Sequence, residues 1–409
     1  MSEAICTPKL RFPEYSGSWL DGKLGTYGSL INGLTYSPDN IVKEGLLVLR
    51  SSNIQNAQIC LDDNVYVNVK VDDNSLTKEE DILICVRNGS KRLIGKSAII
   101  KNDLPKSTHG AFMTVFRGES NKFISHWFQS SIYYKQVHRN LGATINSING
   151  KDLKKFKTVF PTKPEQQKIA TFFTSVDTKI EQLSKKQELL GEYKKGLMQK
   201  IFSQAIRFKA DDGSDYPDWE EKNLGAVVDN IGGTALEKHT NPNSNYKFIS
   251  IGNYGTNGKY IDNGQRVELN DKTKTKLLDK NNLVMVLNDK TAIGDIIGST
   301  ILIDKNDNYI YNQRSERLIC KSELLPIFAW HYLNSRMFRR SVYSISQGGT
   351  QIYVNFPSVK GLKFNLPSKK EQTKIANFLS SIDSNIEQLV KQLDESKQFK
   401  KALLQQMFV

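Results

Sequence analysis

Two stretches of the chain place apolar residues at alternating steps of four and three. The first runs Ile169, Phe173, Val176, Ile180, Leu183, Gln187, Leu190, Lys194, Leu197, Ile201. The second runs Ile375, Leu379, Ile382, Ile386, Leu389, Leu393, Ser396, Lys400, Leu403, Met407. This is the a/d rhythm of a coiled coil. Pro161 and Pro367 stop the preceding segments, and Thr162 or Ser368 just after them can cap a new helix. At ~1.5 Å per residue each helix is about 60 Å long. Neither buries its stripe alone, so the pattern predicts that they pack on each other. Both carry a lysine on the seam, Lys194 and Lys400, and the preceding aromatic, Tyr193 or Phe399, is expected to take over that contact.

The two stretches are copies. PTKPEQQKIATFFTSVDTKIEQL from Pro161 lies on PSKKEQTKIANFLSSIDSNIEQL from Pro367, and the offset of 206 holds without a gap to Phe202 and Phe408. Roughly 20 of about 42 positions are identical. A fixed offset of this kind is the signature of a repeat architecture. The copy extends more faintly outside the helices. Arg11-Phe12, Trp19 and Leu24-Gly25 echo Arg207-Phe208, Trp219 and Leu224-Gly225. Asp81-ILICVRN matches Asn281-NLVMVLN, both strand-like. Gly142-Ala143-Thr144-Ile145 parallels Gly349-Thr350-Gln351-Ile352. The second helix ends LLQQMFV, while the first continues into QAIRF, whose counterpart LRF stands near the N-terminus. The chain therefore reads as a two-fold ring cut open at one joint: globule, helix, globule, helix, with like helices and unlike globules.

Charge narrows the class of partner. Lys and Arg number 57 against 43 Asp and Glu, a formal net charge of +14. That excess favours a polyanion, nucleic acid before membrane. Cys6, Cys60, Cys85 and Cys320 are far apart and form no CxxC pair, as for free thiols in a reducing compartment. No apolar h-region opens the chain and no apolar run approaches ~18 residues, so a cytoplasmic protein with no membrane partner is expected.

Catalytic motifs fail on inspection. Gly95-Lys96-Ser97 resembles the end of a phosphate loop, but Ser90 stands where the motif needs glycine and strand-like Ala98-Ile99-Ile100 follows. Asp304–Asn308 mimics a calcium loop, yet Tyr309 replaces the turn glycine. Pro217-Asp218 with Glu220-Glu221-Lys222 holds the letters of a metal nuclease on one short segment, whereas such groups converge from separate elements. The five histidines form no ligand-like pair, and neither a dinucleotide fingerprint nor a base-gripping methyltransferase element is present. No catalytic residues and no metal site are expected in this chain.

What remains is recognition: matched helices hold two diverged globules, and unlike globules suit unlike DNA sequences. Phosphate contacts supply affinity and base edges supply discrimination, for which Arg, Asn and Gln are suited. P-x-x-x-E-Q-x-x-I-A before a long amphipathic helix, twice at about 200 residues' spacing, resembles the specificity subunits of type I restriction-modification systems. Asp81-Ile82-Leu83-Ile84 with Gly95-Lys96-Ser97, and Gly349-Thr350 before the second helix, fit that resemblance, which covers essentially the whole chain.

The resemblance implies an α+β fold with a pseudo-two-fold internal repeat. Two mixed α/β target recognition domains, residues 1–160 and 207–366, would be separated by two long helices, 161–206 and 367–409, packed as an antiparallel coiled coil. Each domain would read one half of an interrupted double-stranded DNA target, and the helices would set the spacing. Two modification subunits carrying S-adenosylmethionine would dock against these regions. Two restriction subunits would add ATP- and Mg-dependent translocation and cleavage; this chain itself would bind no cofactor. The expected DNA contacts are loop-borne residues near strand ends. In the first domain they are Arg87, Asn88, Ser90, Lys91, Arg92, Arg139 and Thr144. In the second they are Lys290, Gln313, Arg314, Arg317, Arg339, Gln347, Thr350 and Gln351. The main rival expectation is an enzyme, a single-chain methyltransferase or fused restriction protein, and a second is a non-DNA scaffold built on the coiled coil.

Overall fold

The computed structural model describes residues 7–141 and 146–409. The chain divides into two compact units: Met1–Ser184 with Lys391–Val409, and Lys185–Val390. The expected helices form as Lys163–Phe202 and Lys369–Met407, and each unit takes part of both.

The first unit has a four-stranded antiparallel sheet in the order Gly28–Asn32, Met113–Gly118, Ile82–Cys85, Ser97–Ile99. A smaller mixed sheet runs Ser107–His109, Leu46–Leu49, Tyr66–Val67, Ile41–Val42. The strands Leu20–Lys23 and Lys157–Phe160 pair antiparallel at the approach to the first long helix. The strand Ile82–Cys85 is buried along its whole length, which explains its run of apolar letters without alternation. Ser97–Ile99 is a strand directly after Gly95-Lys96, so the lysine opens no phosphate-binding helix; its Nζ donates to Ile54 O at 2.7 Å.

The second unit repeats this plan. Its antiparallel sheet runs Val228–Gly232, Ser315–Cys320, Leu283–Val286, Thr300–Leu302. Its mixed sheet runs Arg266–Val267, Tyr246–Ile249, Tyr309–Tyr311, Leu277–Leu278. Glu220–Asn223 pairs with Lys363–Leu366, as Leu20–Lys23 does with Lys157–Phe160.

Within each unit the segments of the two helices run antiparallel. In the first unit the rings of Phe173 and Phe408 stack at 6.1 Å, and Lys400 Nζ lies 2.6 Å from Asp177 Oδ1. Rising numbers on one helix thus meet falling numbers on the other. In the second unit Ile201 and Phe202 share a core with Ile375 and Leu379, and Lys194 Nζ lies 2.7 Å from both Asp383 oxygens. The seam residues Ile169, Phe173, Ile375 and Leu379 are all at 1% exposure or less.

The seam lysines are a correction to the sequence reading. Tyr193 and Phe399 are 57% and 55% exposed, facing largely to solvent. Lys194 and Lys400 stay on the seam because each finds a carboxylate there, Asp383 or Asp177, and these aspartates are themselves repeat partners. A histidine from each globule closes the cluster: His331 Nδ1 is 4.0 Å from Asp383 and His126 Nδ1 is 3.8 Å from Asp177. Burial pushes both imidazoles down to about 3. The remaining capacity of each ammonium is met differently, by Gln129 Oε1 at 2.6 Å for Lys400 and by the Trp330 ring at 5.4 Å for Lys194.

The repeated Glu-Gln pair now has a physical role. Glu165 and Glu371, at 1% and 0% exposure, each accept from an arginine and a tryptophan of the segment just before the first strand of their unit. Arg11 Nη2 lies 2.7 Å from Glu165 and Arg207 Nη2 lies 2.9 Å from Glu371. Trp19 and Trp219 donate to the same carboxylates at 3.3 and 3.0 Å. The open joint is also visible. Leu10 N donates to Gln406 O at 3.0 Å, just as Ile206 N donates to Lys200 O at 3.1 Å where the chain is continuous.

Candidate nucleic-acid interface

Each unit extends its central sheet strand into a loop that meets a returning strand. In the first unit Val86 N and Arg87 N both donate to Phe112 O at 3.0 Å. Ile148 N donates to Val86 O at 2.9 Å, and Arg87 bridges to Ser147. Arg87 is exposed, and its guanidinium lies 5.6 Å over the ring of Phe112, which is 57% exposed. Asn88 is braced: its Nδ2 donates to Ser51 Oγ at 3.0 Å and its Oδ1 accepts from Ser90 N at 3.0 Å. The 3-10 turn Lys91–Leu93 leaves Lys91 and Arg92 exposed. Arg139 is exposed near the end of the helix Ser131–Asn140. Thr144 lies outside the described residues.

The second unit uses the same device with other side chains. Leu287 N donates to Arg314 O at 2.9 Å and Val354 N to Leu287 O at 2.9 Å. Asn288–Asp289 then pairs antiparallel with Ile352–Tyr353, and Gln347 closes a hairpin on Tyr353 with bonds of 2.8 and 2.9 Å. The hairpin tip, Gly348 to Gln351, is exposed, and Gly348 has φ +108°, a conformation that favours glycine. Lys290, Gln347, Thr350, Gln351 and Arg314 thus belong to one end of the sheet. Arg314 is exposed in a tight turn at φ +66°, a strained position for a side chain with a Cβ.

Besides Asn88, four expected residues have side chains engaged by the protein itself, and Gln347 Oε1 accepts from Tyr353 Oη at 3.1 Å. Gln313 Nε2 donates to Glu237 Oε1 at 2.8 Å. Arg317 Nη2 lies 3.5 Å from Asp279. Arg339 donates to Ile297 O at 2.6 Å and Asp295 O at 2.8 Å, and burial pushes its guanidinium down to about 10. Together with Asp289, which accepts from Thr291 N at 2.9 Å and Ile296 N at 2.8 Å, Arg339 fixes the loop that follows Lys290. Its role as placed is to position that loop.

Sequence reasoning missed the exposed apolar residues at these ends. They are Phe112 in the first unit, and Ile293, Tyr343 and Tyr353 in the second, 73%, 47% and 45% exposed. No sequence signal marks Phe112. Met113–Phe116 and Ser315–Leu318 pair with equivalent strands in the same register, so Phe112 occupies the turn position of Arg314. Only strand register shows that equivalence, because the residues around the turn have no letters in common.

Comparison with known proteins now defines the class. The family described as the type I restriction modification DNA specificity domain matches twice, over residues 21–190 and 216–396. The chain belongs to that family. It is 26% identical over 398 residues to the StySPI specificity subunit of Salmonella potsdam, covering 92% of this chain and 85% of that one. It is also 26% identical to the MjaVIII specificity subunit of Methanocaldococcus jannaschii, over 82% of this chain and 80% of that one. The S subunit of the type I system of M. genitalium shares the fold, with a TM-score of 0.60 over 98% of this chain and 99% of that one, at 16% identity. Among the described residues no helix is long and apolar enough to cross a membrane, and no group of three or more His, Cys, Asp or Glu could hold a metal ion.

Proposed function

We propose that this specificity chain reads an interrupted double-stranded DNA target, one half with each unit, through the loop ends described above. One observation carries the reading. The antiparallel sheets of the two units share strand order and register, but the side chains presented at equivalent places differ: Arg87 and Phe112 in one, Asn288 and Arg314 in the other. A shared backbone with different tips is what two half-sites of different sequence require. Arg314 suits a guanine edge, Gln347 and Gln351 an adenine edge, and Phe112 a thymine methyl or an opened base step. Exposed Lys91, Arg92, Arg139 and Lys290 supply phosphate contacts, which carry affinity without sequence information.

In this reading the two long helices fix the spacing between half-sites and offer docking surface to two modification subunits. S-adenosylmethionine belongs to those subunits, and ATP and Mg to two restriction subunits. The purified chain incubated with DNA and S-adenosylmethionine should transfer no methyl group until modification subunits are added. Methyl transfer by the chain alone would replace this reading with the enzymatic one.

A further inference from the structure

The two units differ at one joint in a way that leaves a vacancy in the first. In the second unit five residues, Lys321–Leu325, join the strand Ser315–Cys320 to the helix Pro326–Leu333. In the first, only Glu119 and Ser120 join Met113–Gly118 to Asn121–Trp127. The flanks match on both sides: the strands share register, and Phe123, His126 and the helix-capping Ser130 correspond to Phe328, His331 and Ser335. The second unit therefore has three additional residues at this joint, and they are put to use. Leu325 N donates to Gln372 Oε1 at 2.8 Å, Gln372 Nε2 donates to Glu323 O at 2.9 Å, and Leu324 is buried.

Gln166 is the repeat partner of Gln372. It is 5% exposed and makes the same bond to the preceding proline, Nε2 to Pro161 O at 2.8 Å, as Gln372 makes to Pro367 O at 2.8 Å. Its Oε1, however, has no partner among the described residues. Gln166 lines a cavity of about 660 Å³ together with Ser120, Phe123, Ala170, Thr171 and Thr174. That size is within the ~300–1,000 Å³ of typical ligand sites. The charged residues of its wall are neutralised in pairs, Lys163 with Glu119 at 2.6 Å and Lys122 with Glu80 at 2.7 Å, so no net charge there favours a phosphate or a cation. A buried acceptor left unpaired is costly, so the site favours an occupant that donates a hydrogen bond.

We infer that this cavity is a peptide slot: an extended segment of a partner polypeptide enters it, presents a backbone N–H to Gln166 and packs an aliphatic side chain beside Phe123 and Ala170. The chain's own Glu323–Leu325 segment at Gln372 is the template for that occupant. The inference goes beyond DNA reading and does not rest on it.

The probe is a fluorescein-labelled peptide, Lys-Ser-Glu-Leu-Leu, copying residues 321–325 and titrated with the full chain by anisotropy. Saturable binding is expected, and it should disappear when both leucines of the peptide are replaced by Asp. Thr171→Trp, which changes an exposed wall residue, should weaken binding about tenfold or more. Inserting Ser-Glu-Leu between Glu119 and Ser120 should abolish it by filling the slot from within. Absence of saturable binding to the wild-type chain overturns the slot, as does binding that Thr171→Trp leaves unchanged. If the insertion variant does not fold, Thr171→Trp alone decides. Binding by the Asp-substituted peptide at equal strength would also contradict it.

Discussion

Replacing Asp383 by Ala isolates the most exposed assumption about the helix seam, that Lys194 is tolerated there only because of its partner. Both side chains are 14% exposed and the ammonium lies 2.7 Å from each carboxylate oxygen. Removing one member of such a buried pair costs ~3–5 kcal/mol, because the other charge stays desolvated. Lysine has an alternative, to shed its proton, and burial already pushes Lys194 below its ordinary value. From an ordinary value of ~10.4, neutralising it at pH 7 costs at most about 4.6 kcal/mol, at ~1.36 kcal/mol per unit. The same ceiling at pH 9 is about 1.9 kcal/mol. Asp383→Ala should therefore lose about 3–4 kcal/mol at pH 7 and recover roughly half of that by pH 9. Urea unfolding followed by tryptophan fluorescence reads this, with Trp330 only 5.4 Å from the ammonium among the reporters. The double variant Lys194→Met with Asp383→Leu should come within about 1 kcal/mol of wild type, since apolar pairs of similar volume replace buried ion pairs without large loss. A single-variant loss under about 1 kcal/mol, or one that does not change with pH, would refute the reasoning.

Three further outcomes are expected. Arg314→Ala should cost about 1–3 kcal/mol on the cognate site and relax one base position in a binding-site selection; equal weakening on all sequences would make it a phosphate contact. Acidification should destabilise both units, because His126 and His331 are held neutral down to about 3 while the unfolded chain protonates them near 6.5. Stability is then intact above about pH 6.5 and falls toward pH 3 by up to ~1.4 kcal/mol per unit for each histidine, and His126→Gln with His331→Gln should flatten that slope in urea titrations. Inserting one heptad after Leu183 and one after Leu389 lengthens each helix by ~10.5 Å, so the preferred DNA spacer should grow by about three base pairs in a spacer-length selection.

The sequence showed the helices and their duplication because a long amphipathic stripe is a local, periodic signal. It also placed Ile82–Cys85 and Leu283–Val286, whose apolar runs are buried from end to end. It misread Tyr193 and Phe399, since whether a seam lysine is relieved by its neighbour or paired depends on an aspartate roughly 190 to 220 positions away. The candidate interface was legible only in part. Arg314 and the Gln347–Gln351 tip stood out as polar letters in turn-rich stretches. Phe112 did not, because an exposed aromatic has the same letter as a buried one. The sequence suggests a loop-borne DNA contact at Arg339, but it stands on the helix Arg336–Ser344, and only tertiary placement shows its guanidinium on Ile297 O and Asp295 O. The three-residue difference at the Cys320–Pro326 joint was invisible until strand register aligned the two units on either side of it.

The central claim is that unlike loop ends on a duplicated scaffold read unlike halves of one DNA target. It is tested most directly by exchanging residues 26–158 for the equivalent segment of another family member and sequencing the methylome of a strain carrying the complex with its modification subunits. The account predicts that one half of the methylated sequence changes, while the other half and the spacer stay as they were. A change in both halves, or in neither, would contradict it.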